Sequence, residues 1–243
     1  MKETILMILI VFTACLTLFN ALAFNQEDLD RLYKSGKCAN GDLSGANLKG
    51  TNLEKAVLQG TDLSEANLAG ANLKGADMFG VDLQEANLEK ANLSKSNLDE
   101  ANLRGARMKG AVLKNTMLEK SNLTNANLEG ANLTLANLRD ASLGDTNFKK
   151  AEMIGTDLRN SEMESAILSE ANLTNASLRG ADLYKVNFEG ANLKDADLRR
   201  ANLKWVEVKK AKNYQGAKFD QSVIDEETKP DTSKEDAFSL KAI

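Results

Sequence analysis

The chain has no histidine, one proline (Pro230), one tryptophan (Trp205) and two cysteines among 243 residues. Without histidine and with so little sulfur, it cannot assemble a nitrogen–sulfur metal site, a Ser-His-Asp triad or a Cys-His pair. No metal or other cofactor is therefore expected. Aromatic residues make up 5% of the chain, so any core must be aliphatic. The formal net charge is −4, from 31 basic and 35 acidic residues. That is too slight to mark a nucleic-acid binder or a strongly acidic decoy.

Long apolar runs are also missing, except at the start. Residues 5–23, "ILMILIVFTACLTLFNALA", follow a short head containing Lys2. Ala21 and Ala23 supply an A-x-A pattern, which predicts a signal peptide cleaved before Phe24. An uncleaved anchor is the alternative, because about 20 apolar residues span a bilayer. In both cases Lys2 stays inside while Glu27, Asp28 and Asp30 follow on the far side, so the body is exported. Cys15 belongs to the apolar segment, leaving Cys38 alone in the mature chain. A single thiol cannot form an internal bridge; it is either a small cap residue or a site of intermolecular pairing.

What fills the rest is repetition. From Leu43 every fifth residue is apolar, through 34 centres ending at Val208, with no insertion. Ala stands two residues before the centre in 22 of these, and Asn or Asp immediately before it in 24, so a single phrase, A-(N/D)-L-x-x, governs the chain. A helix turns 100° per residue, so a five-residue step scatters the leucines and leaves no apolar stripe. In an extended segment, Ala and Leu share one face and Asn points the other way. The two variable residues must then turn a corner. Each pentapeptide is one short edge and one corner, and such edges stack as a β-solenoid. The Asn side chains are placed to satisfy backbone groups at the corners.

Phrases such as "ADLYK", "ANLKD" and "ANLRG" resemble the pentapeptide repeat proteins, over residues 41–210. The resemblance implies an all-β, right-handed quadrilateral β-helix with four pentapeptides per coil, here about 8 coils. Residues 20 apart then stack: Leu128, Phe148, Leu168, Phe188 and Val208 form one inner column. Solenoid ends need closing. Residues 24–40 contain "QEDLDRLYKS", with Leu29, Leu32 and Tyr33 on one helical face, and predict a short N-terminal helical cap. Residues 211–224 hold degenerate final repeats centred on Phe219 and Ile224, and 225–243 are an acidic, polar tail. Basic residues such as Arg199, Arg200 and Lys204 crowd the last coil, opposite in sign to the tail.

Catalysis needs convergent groups. Polysaccharide-cleaving solenoids build clefts from long corner loops, and no such loop interrupts this repeat, so the chain is not expected to be an enzyme. Contacts are sought instead at outward residues that break the pattern. Arg107, Val112 and Met117 replace Asn or Asp in three successive repeats. Lys185 and Trp205 occupy the same corner position 20 residues apart, where they can pair as a cation and a ring, and Tyr214 is nearby. Some proteins of the resembled family mimic DNA and inhibit DNA gyrase. That alternative demands a cytosolic, strongly acidic rod, whereas here both charge signs are interleaved. The reading is an exported, non-enzymatic scaffold or interaction module in the periplasm, at the cell surface or in a thylakoid lumen. Its partner is an unknown protein or a second copy at the C-terminal end, and nucleic acid is not expected. Membrane contact arises only if residues 5–23 remain as an anchor.

Overall fold

The structure is a computed structural model that describes residues 24–224. The proposed signal segment 1–23 and the acidic tail 225–243 lie outside the described residues. Between Lys37 and Val223 the chain winds as a β-helix. Parallel bridges join Asn67 to Asn87, Asn72 to Asn92 and Met117 to Asn137, in each case the residue before a centre and its counterpart 20 positions on. The period fixes four walls per turn. Edges are shorter than an all-β reading implies, because the corners on either side leave room for a single bridged residue.

One pentapeptide shows why the phrase reads as it does. In Ala66–Gly70 the Ala66 N–H closes the corner onto Leu63 O at 3.1 Å, and Asn67 N–H reaches back to Ala46 O at 2.9 Å. Leu68 and Gly70 donate forward to Asn87 O and Glu89 O at 2.7 and 2.8 Å. The fifth amide, on Ala69, has no backbone acceptor and is taken by Asn67 Oδ1 at 3.3 Å. Asn or Asp is therefore the local side chain that completes the backbone's hydrogen bonding. Asp62 does the same for Ser64 N–H at 2.9 Å. Stacked asparagines also bond to each other, as Asn72 Nδ2 does to Asn52 Oδ1 at 2.9 Å.

Leu and Ala fill the interior. Leu128, Phe148 and Leu168 are fully buried and stacked in one column. Each large side chain contributes about 1.5–3 kcal/mol on burial. A backbone costs about 1–2 kcal/mol per residue to order, so coils hold only by stacking. Where Thr replaces the inner Ala, its hydroxyl is bonded: Thr116 Oγ1 donates to Leu93 O at 2.8 Å. The corner residue takes a left-handed backbone, which glycine accepts without strain. Gly105 (φ 69°) also has Glu85 carboxylate atoms where a Cβ would stand.

At the N-terminal end, helix α1 (Gln26–Ser35) is capped by Asn25, whose side chain accepts from Glu27 and Asp28 N–H. Gly36 ends it in the left-handed region. Leu32 is buried and Leu29 packs against the core. Asp28 accepts Asp42 N–H at 2.8 Å and pairs with Arg31 at 2.7 Å, tying the helix to the first coil. Cys38 is fully buried beneath it, its Sγ donating to Asp28 O at 3.5 Å. A thiol so enclosed is out of reach of a partner's cysteine in the folded chain.

The far end is less regular. Glu207 begins a break that includes a 3-10 turn at Val208–Lys210. Bridges resume at Asn192 to Lys212, then step 21 residues, from Asp197 to Lys218 and Asn202 to Val223. Phe219 is buried, while Tyr214 and Ile224 pack against the core from the rim.

Candidate interaction surfaces

Because successive pentapeptides occupy successive walls, neighbours in sequence are separated by corners and residues 20 apart are neighbours in space. Arg107, Val112 and Met117 therefore girdle a single coil on three different walls, bridged to Asn127, Asn132 and Asn137 respectively. They do not form one patch. Each is a gap in the asparagine bonding of its wall. At Met117 the gap is filled: with no acceptor two residues back, Glu119 N–H bonds to Asp99 Oδ1 at 2.7 Å. Burial pushes the Asp99 carboxyl above its ordinary value, opposed by that bond, and Glu119 and Glu100 push it further.

Lys185 and Trp205 do come together, as walls of one groove of about 270 Å³. Val186, Phe188, Glu189, Glu207 and Lys210 are among the other residues of its lining. The groove exists because the ladder opens. Lys185 N–H still reaches Lys204 O at 3.1 Å and Gly190 N–H reaches Lys210 O at 2.9 Å. Among the described residues no backbone bond joins Phe188 to the next coil, whereas Phe148 donates to Ile167 O at 2.8 Å. Trp205 is 53% exposed, on a left-handed corner of φ 61°. The Lys185 ammonium stands 4.9 Å from the centroid of Tyr184, its own neighbour. Lys210 is paired with Glu207 at 2.9 Å. Tyr214, in a 3-10 turn of its own, packs on the core instead of lining the groove. Sequence reasoning missed Glu189 and Glu207, because the five-residue spacing continues to Val208 while the backbone leaves the edge there for a 3-10 turn.

A second surface was also missed. Stepping by 20 along the position after each centre brings Arg139, Arg159, Arg179 and Arg199 into one column, preceded by Phe79, Asp99 and Glu119. One other such column alternates in sign, through Glu89, Lys109, Glu129 and Lys149, with Lys109 and Glu129 paired at 3.0 Å. Here four guanidiniums stack at the coil pitch of roughly 4.8 Å. Two are held by bidentate bonds from the same edge, Arg159 to Asp157 and Arg199 to Asp197. The Arg199 hydrogen bond, opposed by burial, keeps the Asp197 carboxyl below the ordinary carboxylate range. Arg139 and Arg179 have Asn137 and Ser177 in the corresponding place. Among the described residues neither has an ion pair, and Arg139 Nε is buried without an acceptor.

Among the described residues no three or more Asp, Glu, Cys or His side chains are gathered to hold a metal, and no helix is long and apolar enough to cross a membrane. Comparison with known proteins agrees with the geometry. The profile of pentapeptide repeats matches in eight copies, over residues 42–78, 76–115, 96–134, 126–164 and 166–204. HetL, a pentapeptide repeat protein involved in heterocyst differentiation regulation in the cyanobacterium Nostoc sp. strain PCC 7120, is 30% identical. The match covers 80% of this chain and 97% of HetL, with a TM-score of 0.57. QnrB1, a plasmid-mediated fluoroquinolone resistance protein, is 17% identical over 74% of this chain and 92% of its own, with a TM-score of 0.59. At that identity the likeness is one of fold alone. A pentapeptide repeat protein of the Arabidopsis thaliana thylakoid lumen is 32% identical over 53% of this chain and 70% of its own, but superposes with a TM-score of only 0.24. No curated protein gives a sequence match.

Proposed function

The chain belongs to the pentapeptide repeat family, and from that premise we propose that it is an exported, non-enzymatic rod that serves as a scaffold or protein-interaction module. One observation carries the reading: the repeat runs from residue 41 into the break at Glu207 without an inserted loop, so side chains stand in flat columns and no cleft collects an acid, a base and a bound substrate. We read the rod as right-handed, of about eight coils, with α1 as the lid on its first coil. The groove beside Trp205 is its partner site, since there the wall opens and offers a ring between charges of both signs. Mimicry of DNA is disfavoured by the arginine column and by the alternating Lys109–Glu129 wall, neither of which presents a phosphate-like track.

Two measurements test the proposal. Fractionation with intact mass should find a chain beginning at Phe24 in a periplasmic or lumenal fraction. A full-length, soluble cytosolic chain would overturn export and make a gyrase supercoiling assay the next experiment. For the contact sites, partners crosslinked to the wild type should be lost on Trp205→Ser or Met117→Ser. If every partner stays bound to both variants, the assignment of contacts to those residues is wrong.

A further inference from the structure

The arginine column points to a partner that the groove does not: we propose that the wall carrying it pairs with the same wall of a second copy, the two rods running antiparallel. Consider a two-fold axis lying in the contact plane, along the edge direction. It reverses the rod and keeps each column opposite its own counterpart. The column changes sign once, between Glu119 and Arg139, and the axis must pass there. Glu119 then faces the second copy's Arg139, Asp99 faces Arg159, and Phe79, 43% exposed, faces Arg179. The last is a cation over a ring. Sliding by one coil either way sets Glu119 against itself or Arg139 against itself, so the register is determined by charge.

The flanking corners agree independently. In the same register Lys120 lies opposite Asp140 on one side of the wall, and Lys55 opposite Asp195 on the other. The one like-charged pair, Lys37 with Lys218, falls at the outer ends, where solvent screens it. The two arginines that make no close ion pair within the chain, Arg139 and Arg179, are those offered a carboxylate and a ring by the second copy. Asp157 and Asp197 hold the other two guanidiniums in place. Seven coil steps at roughly 4.8 Å give a contact about 34 Å long and one edge wide. Such a strip is smaller than the roughly 800 Å² per partner of a standard interface, so the dimer is a weak, salt-sensitive one.

The test is sedimentation equilibrium of the full chain, in the form the cell retains, with Glu119→Arg and Arg139→Glu. The wild type should dimerise at high concentration and low salt. Each variant alone sets like charges opposite one another twice and should associate about a hundredfold more weakly. An equimolar mixture should associate again, because one chain then carries arginine at both positions and the other glutamate at both. Three results overturn the proposal: a wild type monomeric at its highest soluble concentration, variants that dimerise as well as the wild type, or a mixture that stays monomeric. The last is what an anionic partner, or the chain's own acidic segment 225–243, would produce by occupying the arginines. If either variant loses its far-UV spectrum, the corner pair Lys120→Asp and Asp140→Lys repeats the mixing experiment away from the column.

Discussion

Replacing Phe148 by Ala should split the rod in two. Phe148 is fully buried, with Leu128 before it and Leu168 after it in one inner column. Phe→Ala in a core costs about 3–5 kcal/mol, the larger figure where surroundings cannot collapse. Collapse is resisted here because the wall is held at fixed pitch, with Phe148 N–H on Ile167 O at 2.8 Å and Leu128 N–H on Asn147 O at 2.7 Å. The cost should therefore lie in the upper half of that range. In a solenoid it falls on the two interfaces that touch the cavity, not on the whole domain. The coils after residue 148 then lose most of their coupling to those before it. Trp205, the single tryptophan, lies in the later block, whereas far-UV circular dichroism reports both. In urea the wild type should show coincident transitions by the two probes. In Phe148→Ala the fluorescence midpoint should drop by about 1–2 M, with m at about 3 kcal/mol/M, the upper end of the usual urea range, and run ahead of the dichroism. Phe148→Leu, which restores the residue usual in this column, should lose less than about 1.5 kcal/mol and keep the transitions together. Coincident, unshifted transitions in Phe148→Ala would refute nearest-neighbour coupling as the source of stability.

Two smaller effects follow from the hydrogen bonding. Val112→Asn should stabilise the chain by about 0.5–1.5 kcal/mol, measured as a raised urea midpoint, because it supplies an acceptor to Lys114 N–H and rejoins the asparagine bonding on that wall. Acid should weaken the C-terminal coils through Asp197, whose carboxyl the Arg199 hydrogen bond, against burial, holds below its unfolded value. The sign follows: this stabilisation is complete above the ordinary Asp value of about 4 and is lost as pH falls through the lower folded value. The urea midpoint followed by Trp205 fluorescence should fall across that window, and Asp197→Asn should flatten the fall.

The solenoid was legible because a five-residue apolar period is incompatible with a helix, and an edge that buries Ala and Leu must turn at the next two residues. Even the role of asparagine could be anticipated, although only the structure shows which amide lacks a backbone acceptor. The contact surfaces were harder to read for one physical reason: proximity along the chain is not proximity on the rod. Arg107, Val112 and Met117 look like a cluster in print, yet each turn of the corner sends the next to another wall. The arginine column is scattered in print and continuous in space, and stepping by 20 would have revealed it. The groove escaped because Val208 keeps the expected spacing and the expected burial, while its backbone leaves the edge for a 3-10 turn.

Three of every five positions are committed to the fold: the inner Ala, the Asn or Asp that takes the fifth amide, and the centre. A fourth, the corner, must accept a left-handed backbone, where a non-glycine residue costs roughly 1–2 kcal/mol. Glycine serves this corner at Gly45, Gly50 and Gly70, among others. Trp205 stands at the same kind of corner, half exposed, so burial offsets only part of its backbone cost. Its ring also walls the groove beside Lys185. The fifth position, after each centre, carries no such constraint, and it is the one occupied by the four stacked arginines. In a rod of this kind the side chains left free for contacts stand in columns at the free position and in exceptions at the corners. The arginine wall is an example of the first and Trp205 of the second.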